Sequence, residues 1–183
     1  MRLFTALNPP PEVRDACTEL QEALSLPTAR WSSPGQLHIT IRFLGDTEPE
    51  RAQQYEAALS EIHTTAAHCK PYGLDVLPSR RSPRVIVLGF KRTDSLLALH
   101  TAVSEALETA GLAPEDRTYR PHLTLARLDD PDPEHVHNSL ETCAAPLPDP
   151  FWADTMHLYE STLTADGAVH EQRASFGLAA PAP

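Results

Sequence analysis

Proline is the residue that most limits how this chain can fold, because it occurs 18 times among 183 residues. That is about twice the ordinary share of ~5%. A proline inside a helix breaks or kinks it, so we expect short helices and strands and no long bundle or coiled coil. The other totals, 41% hydrophobic and 22% charged residues, are typical of a globular protein. The length fits one domain or two small lobes that share a core.

Strand and helix patterns alternate between the prolines. The first half is predicted to run strand, helix, strand, helix, strand, beginning with a strand over Arg2–Leu7. Its second helix opens with a Thr47–Glu50 capping box and has an apolar stripe that extends to Ala66. The second half runs strand, helix, strand, helix, strand, strand, with a strand over residues 151–160 and an Asp166-Gly167 hairpin turn. The similar halves indicate an internal duplication around a shared cleft.

Targeting signals and cysteines bear on where the chain works. The apolar runs are far shorter than the ~20 residues that cross a bilayer, and the N-terminal segment is too short for a secretory signal. The cysteines, at positions 17, 69 and 143, form neither a CxxC pair nor a disulfide framework. That pattern favours a reducing compartment. We therefore expect a soluble, cytoplasmic protein.

The charge balance is acidic overall and locally basic. A net charge of −10 argues against a protein that coats long nucleic acid. Eight of the fifteen basic residues nevertheless lie between positions 80 and 127. They could line a groove that holds one or two phosphates, or they could simply form a solvated surface.

One short pattern occurs once in each half, each time in a predicted strand. It reads His-aliphatic-Thr-aliphatic and begins at His38 and again at His122, 84 residues later. Aliphatic residues occupy the alternate positions in both copies, as in a half-buried strand. A His-Thr-Thr sequence at residues 63–65 ends a helical stripe and lacks aliphatic flanks, so we regard it as unrelated.

The strand context gives this pattern its chemical meaning. Side chains two residues apart project from the same face of a strand, so His38 projects with Thr40 and His122 with Thr124. Two such strands facing each other would offer two imidazoles and two hydroxyls to one cleft. That set suits in-line displacement at phosphorus, in which one imidazole accepts a proton and the other donates one. The hydroxyls would bind the non-bridging oxygens, and no metal is needed.

The two copies and their flanks resemble the two-histidine (2H) phosphoesterases, and within them the RNA 2′,3′-cyclic phosphodiesterases, also called 2′-5′ RNA ligases. The flanks are Ala-Arg-Trp at 29–31, Phe-Leu-Gly-Asp at 43–46, Tyr-Arg-Pro at 119–121 and Leu-Tyr-Glu-Ser at 158–161. The resemblance covers residues 2 to 176. It implies an α+β, bilobal, pseudo-twofold duplicated fold, with antiparallel sheets lining a central groove and helices outside. One domain would span residues 1–178, with a frayed tail over residues 179–183.

The resemblance also implies a reaction, the hydrolysis of a terminal RNA 2′,3′-cyclic phosphate to a 2′-phosphate with weak reverse 2′-5′ joining. His38 would donate a proton to the 3′ leaving oxygen, and His122 would accept one from water. Thr40 and Thr124 would hold the phosphate. Arg127, five residues after the second histidine, matches a family arginine that contacts the phosphate. No cofactor or metal is implied, and we expect a monomer.

Further candidates for substrate binding flank the two motifs. Arg42 follows the first motif, and simple strand alternation turns it toward the catalytic face. Tyr119, Phe43 and Trp31 could stack a base beside the cleft. Core packing accounts for each of these aromatic residues equally well.

Other functions stay open at this point. The same chemistry could act on a small cyclic-phosphate nucleotide, such as a cyclic ADP-ribose phosphate. A non-catalytic nucleotide- or RNA-binding module is disfavoured, because phosphate binding alone does not need two titratable groups. A metal site built from His135, His137, Asp154 and His157 is also disfavoured, because residues two apart on a helix point in different directions.

Overall fold

The computed structural model describes residues 1–164 and 167–180. The helices in this part of the chain are α1 (Pro11–Ala23), α2 (Pro49–Ser60), α3 (Asp94–Thr109) and α4 (Pro133–Thr142), and a 3₁₀ turn spans Pro34–Gln36. The strands are β1 (Arg2–Leu7), β2 (Ala29–Trp31), β3 (Ile39–Asp46), β4 (Ala67–Cys69), β5 (Pro71–Ser79), β6 (Ser82–Phe90), β7 (His122–Leu128), β8 (Phe151–Ala153), β9 (Thr155–Thr164) and β10 (Gly167–Gly177). The longest of these helices has 16 residues, as the frequent prolines predict. None of the described helices is long and apolar enough to span a membrane.

Eight strands form an antiparallel sheet that divides into two lobes. One lobe has the strand order β10-β9-β1-β3, and the other has β7-β6-β5 with β2 also paired to β7. In the described chain β3 and β7 meet at one residue pair, Ile39 with Leu123. The lobes diverge from this contact and leave a groove between them. The α+β, bilobal, duplicated fold with antiparallel sheets around a groove is therefore confirmed.

The lobes do not coincide with the two halves of the sequence. The first lobe combines β1 and β3 with β9 and β10 from the end of the chain, while β2 joins the second lobe. The helices cross over as well, because α1 packs against β7 and α3 packs against β3. Each histidine strand is thus supported by a helix from the opposite half of the sequence.

The helices cover the sheet with the apolar stripes expected from the sequence. In α1 the buried residues include Val13, Cys17 and Leu20, and in α3 they include Leu99 and Val103. Burying such side chains stabilises the fold by about 1.5–3 kcal/mol for each large aliphatic residue. This packing holds the two histidine strands on a rigid base.

Two predicted helix limits differ from the structure. The helix α2 begins at Pro49 with Glu48 as its N-cap, and no side chain caps it. The hydroxyl of Thr47 instead donates a hydrogen bond to the carbonyl of Gly45, so the predicted capping box is wrong. The same helix ends at Ser60 and does not reach Ala66. The amide of Ala66 instead donates a hydrogen bond to the carbonyl of Ala179.

The C-terminal region also differs from expectation. Residues 151–160 form two strands, because β8 pairs with β4 in a separate ladder while β9 joins the main sheet. Ala179, which we expected to fray, donates to the carbonyl of Thr64 and accepts from the amide of Ala66. Residues 181–183 of the predicted tail, and Asp166 of the predicted turn, lie outside the described residues.

Candidate active site

A groove of about 570 Å³ lies between the two lobes. Its described lining contains no carboxylate and six basic or titratable side chains, namely Arg2, Arg30, Arg127, His38, His122 and His170. The chain as a whole carries a net charge of −10. A concentration of cationic groups in a cleft of an acidic protein creates a local positive potential that attracts anions.

The contact between β3 and β7 places the two motifs against each other. Because the strands are antiparallel and Ile39 pairs with Leu123, His38 lies opposite Thr124 and Thr40 lies opposite His122. Residues directly opposite in such a pair are about 4.5–5.5 Å apart at Cα. All four of these side chains line the groove. The structure therefore brings together the four motif residues that we expected to act together.

The two imidazoles are oriented in the same way. Nδ1 of His38 lies 2.7 Å from the carbonyl oxygen of Gln36, and Nδ1 of His122 lies 2.7 Å from the carbonyl oxygen of Arg120. A carbonyl oxygen can only accept, so Nδ1 carries the hydrogen in both rings. Nε2 of each neutral ring is then the free acceptor. Each ring can take a proton at Nε2 and give it back, as a general acid–base group must.

Burial and neighbouring charges favour the neutral form of both imidazoles in the free protein. Burial lowers the pKa of His38 to about 4, against the opposing effect of its hydrogen bond to Gln36. The charges of His170, His122 and Arg127 lower the pKa of His38 further. Burial also lowers the pKa of His122, again opposed by its backbone hydrogen bond and assisted by a nearby arginine charge.

A β-bulge in β3 decides which later residues reach the groove. Thr40 and Arg42 pair with adjacent residues of β1, so Ile41 between them is an extra residue. One extra residue shifts the side-chain alternation by one position. Phe43, which is 60% exposed, consequently lines the groove, and Arg42 turns into the interior.

The strand β7 contains the equivalent bulge. Thr124 and Ala126 pair with adjacent residues of β6, so Leu125 is the extra residue. Ala126 is buried and Arg127 reaches the groove. Arg127 follows His122 by five residues, as Phe43 follows His38, so the two positions are equivalent in the two lobes.

Arg42 was expected at the substrate and lies elsewhere, so that prediction is corrected. Its side chain is 3% exposed and donates to the carboxylate of Glu115 at 2.6 Å and to the carbonyl of Ala113 at 2.8 Å. Glu108 lies 3.6 Å away. The bulge at Ile41 is the physical reason, because it reverses the side on which Arg42 projects.

Tyr119 is also not part of the groove lining, in contrast to Trp31 and Phe43, which are. Its hydroxyl donates to the carbonyl of Thr40, and its ring stacks on His100 at a centroid distance of 4.1 Å. Burial raises the pKa of Tyr119 above its ordinary value. Tyr119 therefore contacts β3 and His100 and lies outside the groove lining.

The expected basic cluster contributes less to the groove than its numbers suggested. Of the eight basic residues between positions 80 and 127, Arg127 alone is among the described lining residues. The other two groove arginines, Arg2 and Arg30, come from the start of the chain. Arg30 is held by the carboxylate of Asp129 at 2.7 Å.

Sequence reasoning missed His170 and Phe4. The ring of His170 lies 5.2 Å from that of His38, and the ring of Phe4 lies 4.9 Å from that of His38. Neither residue belongs to a motif, and the strands β10 and β1 that carry them are remote from β3 in sequence. The signal available in the sequence was strand alternation, which places His170 and Val169 on opposite faces of the last predicted strand.

The histidines considered for a metal site do not come together. His135 contacts the carbonyl of Ser25, His137 contacts the carbonyl of Arg80, and His157 contacts the hydroxyl of Ser175. The described residues contain no group of three or more His, Cys, Asp or Glu side chains arranged to hold a metal ion.

Comparison with known proteins identifies the family. The family of LigT-like phosphoesterases matches the chain over residues 7–87 and again over residues 91–170. The chain belongs to this family. Each matched stretch contains one of the two histidine motifs, which agrees with the duplication in the fold.

This LigT-like phosphoesterase is similar in sequence to several RNA 2′,3′-cyclic phosphodiesterases and similar in fold to solved structures. An RNA 2′,3′-cyclic phosphodiesterase of Archaeoglobus fulgidus is 31% identical over 135 residues, which is 73% of this chain and 76% of that protein. One from Methanocaldococcus jannaschii is 28% identical over 172 residues, or 93% and 97% of the two chains. The crystal structure of TT0787 of Thermus thermophilus superimposes with a TM-score of 0.83 at 26% identity, covering 98% of this chain and 99% of that one.

Proposed function

We propose that this LigT-like phosphoesterase hydrolyses the 2′,3′-cyclic phosphate at an RNA end and leaves a 2′-phosphate. The observation that carries the proposal is the pair of Nε2 atoms left free on His38 and His122, on facing strands of one cationic groove. The names of the relatives support the substrate, because several of them are RNA 2′,3′-cyclic phosphodiesterases.

The reaction requires a proton acceptor and a proton donor on opposite sides of phosphorus. Water attacks phosphorus while Nε2 of His122 takes its proton, and the bond from phosphorus to the 3′ oxygen breaks. His38, protonated also at Nε2 while the phosphate anion is bound, donates that proton to the 3′ oxygen, which becomes the 3′ hydroxyl, and His38 is left neutral. The bond to the 2′ oxygen remains, so the product is a 2′-phosphomonoester. The assignment of donor and acceptor rests on resemblance to the family, since the two motifs are nearly symmetric.

The threonines and Arg127 would stabilise the charge that develops on phosphorus. Thr40 and Thr124 each lie opposite a histidine and line the groove, where their hydroxyls can donate to non-bridging oxygens. Arg127 adds a full positive charge from the same strand as Thr124. Donors fixed in advance in a partly desolvated site are worth more than the same donors in water.

We further propose that the protein works without a metal, as a monomer in the cytoplasm, and that it also joins 2′-5′ ends weakly in reverse. One chain supplies both histidines, both threonines and Arg127. Cys17, Cys69 and Cys143 are free thiols, which fits a reducing compartment. Joining uses the same displacement with a 5′ hydroxyl in place of water: Nε2 of His122 takes the proton of that hydroxyl as its oxygen bonds to phosphorus, and His38 protonates the 3′ oxygen as its bond to phosphorus breaks.

The deciding experiment identifies the product. An RNA oligomer ending in a 2′,3′-cyclic phosphate and a 2′,3′-cyclic mononucleotide are each incubated with the protein in excess EDTA, and the products are separated chromatographically. We expect the oligomer to give a 2′-phosphate. We also expect kcat/KM to be higher for the oligomer than for the mononucleotide. A preference for the mononucleotide would point to the small-nucleotide alternative. A 3′-phosphate product would overturn the assignment of the leaving oxygen.

Single substitutions test the two histidines. His38→Ala and His122→Ala should each lower kcat by about 10²–10⁴-fold, because each removes one general acid–base group. His63→Ala is the matched control, since His63 lies outside the groove and belongs to the His-Thr-Thr sequence that we regard as unrelated. Unchanged turnover in either groove variant would defeat the mechanism.

A further inference from the structure

His170 is a third imidazole in the groove that the mechanism does not use. It lies in β10, where it pairs with Ser161 of β9, and it lines the groove together with His38 and His122. The chain reaches this position through its last hairpin, far in sequence from both motifs. Its surroundings indicate why an imidazole stands there.

Three rings contact one another around His38. The ring of His170 meets that of His38 edge-on, with a centroid distance of 5.2 Å and an interplanar angle of 89°. Phe4 lies 4.9 Å from His38 on a tilted plane and 4.9 Å from His170 at 75°. Tyr159 in turn stacks on Phe4 at 5.4 Å and exchanges hydrogen bonds with Asn8. Contacts of this kind restrict how far the imidazole of His38 can rotate about its side-chain bonds.

The second histidine lacks this support. His122 has the same hydrogen bond from Nδ1 to a backbone carbonyl as His38. Among the described residues, however, no aromatic ring contacts His122 in the way that Phe4 and His170 contact His38. The pseudo-twofold symmetry of the motifs is therefore broken by β1 and β10, which belong to one lobe.

Packing alone does not explain an imidazole at position 170. Nδ1 of His170 is buried and has no hydrogen-bond partner in the described part of the chain. Leaving a buried polar atom unpaired costs about 1–3 kcal/mol. A phenylalanine would fill similar space beside His38 and Phe4 without that cost. A buried polar atom that is left unpaired in a folded protein calls for an explanation beyond stability.

The charges around the pair make the two imidazoles compete for a proton. The charged or titratable side chains of the described lining are Arg2 on β1, Arg30 on β2, and His122 and Arg127 on β7, and β9 contributes none. All of these are cationic or neutral, so no described carboxylate in the lining stabilises a second proton. A positive charge on one imidazole therefore disfavours protonation of its neighbour.

We propose that His170 is a positioning residue for His38, which holds the ring of His38 in place and, when it carries a proton, disfavours protonation of His38 until a phosphate anion enters the groove. The catalytic part of this inference rests on the proposed function, whereas the coupling between the two rings does not. The charge of His170 is among the causes that lower the pKa of His38, which agrees with the geometry. Burial and the charge of Arg127 lower the pKa of His170 itself.

The coupling is tested by NMR titration of the histidine rings in the free protein. In His170→Phe the packing is kept and the charge is lost, so we expect the pKa of His38 to rise by about one unit. The pKa of His122 should move much less. The melting temperature should stay the same or increase, because the unpaired nitrogen is gone. His157→Phe, the same substitution outside the groove, is the control and should leave His38 unchanged.

The catalytic consequence is tested by the pH dependence of kcat/KM, which reports groups of the free enzyme. We expect the limb that belongs to His38 to move to higher pH in His170→Phe, by the shift seen in the titration. His170→Ala removes the aromatic ring as well as the charge, so kcat should be lower in this variant than in His170→Phe. If His170 had a purely structural role, its substitution would change stability and leave both the NMR titration of His38 and the pH dependence of kcat/KM unchanged.

Two results would overturn the proposal. One is an unchanged titration of His38 in a folded His170→Phe protein. Should that variant not fold, His170→Asn decides, because it also removes the titratable charge and keeps a polar side chain at position 170. The pKa of His38 must then rise, and an unchanged value would refute the coupling. Neither measurement depends on catalysis, so failure here is distinguishable from failure of the proposed reaction.

Discussion

His38 and His122 combine two features that a phosphoryl-transfer site needs and that oppose each other. Burial lowers the pKa of both side chains and so favours their neutral forms. The hydrogen bonds from Nδ1 to the carbonyls of Gln36 and Arg120 favour the protonated forms and leave Nε2 free on two side chains that line the groove. In the proposed reaction a bound phosphate anion adds an opposite charge, which favours the protonated imidazole that acts as the proton donor.

Anion binding should consequently be coupled to proton uptake. In the free protein the pKa of His38 is about 4. A phosphate beside it favours imidazolium and raises that pKa, so the complex holds more protons than the free protein. Affinity therefore strengthens as the pH falls from 7 to 5. Calorimetric titration of the His122→Ala variant with a 2′,3′-cyclic nucleotide measures this, because the phosphodiester itself does not titrate in that range.

The control for that measurement is the double variant His38→Ala, His122→Ala. It retains the other groove groups, including His170, and should show a smaller pH dependence of the dissociation constant. Equal pH dependence in the single and double variants would mean that His38 does not take up the proton.

The motif threonines should act mainly on the transition state. Thr40→Val and Thr124→Val keep the shape of the side chain and remove the hydroxyl donor, so we expect kcat to fall by about 10²-fold. Thr162→Val on β9 is a matched control, because Thr162 is exposed and does not line the groove. A loss confined to KM would instead assign the threonines to uniform substrate binding.

At the scale of the strands, two equivalent bulges determine which side chains reach the groove. The extra residues Ile41 and Leu125 move the groove-facing position from the fourth residue after each histidine to the fifth. The first strand thereby presents Phe43, and the second presents Arg127. The two walls of the groove differ in chemistry as a result, one aromatic and one cationic.

Arg42 and Arg127 should respond oppositely to the same substitution. Arg42→Met removes the links to Glu115 and Ala113, and should lower the free energy of unfolding by about 2–3 kcal/mol with kcat little changed. Arg127→Met should leave unfolding nearly unchanged and weaken phosphate binding. Urea unfolding and steady-state kinetics of both variants measure this. A catalytic defect in a stably folded Arg42→Met protein would contradict the bulge argument.

At the scale of the whole molecule, an acidic protein carries a small cationic cleft. The net charge of −10 opposes binding along an extended RNA, while Arg2, Arg30 and Arg127 attract phosphate locally. The groove of about 570 Å³ falls in the size range of small-molecule sites. It therefore suits the end of an RNA chain better than an extended stretch of RNA.

The salt dependence of kcat/KM for an RNA oligomer should therefore be shallow. One or two neutralised phosphates predict a slope of about −0.7 to −1.4 in a plot of log kcat/KM against log salt concentration. Arg127→Met should flatten this slope by about 0.7. Arg80→Met, in the turn between β5 and β6 and outside the groove lining, should leave it unchanged. A steep slope, or an equal effect of Arg80→Met, would indicate a longer RNA-binding surface.

Local sequence periodicity was enough to predict most of the helices and strands and the two motifs. His38 and Thr40 share one face of a strand, as do His122 and Thr124, because side chains alternate with a period of two along a strand, which is a local property. The apolar stripes of α1 and α3 depend on the helical period, which is equally local. These features sufficed to predict the duplicated α+β fold and the four motif residues in one groove.

The positions of Arg42, Tyr119 and His170 depend on contacts between segments that are distant in the sequence. A bulge depends on which residues of a neighbouring strand offer hydrogen bonds, and that strand can be distant in sequence. The contact of His170 with His38 likewise arises because β10 returns to the lobe that begins with β1. Local periodicity therefore predicts which face a side chain takes, whereas strand pairing fixes its register and its neighbours.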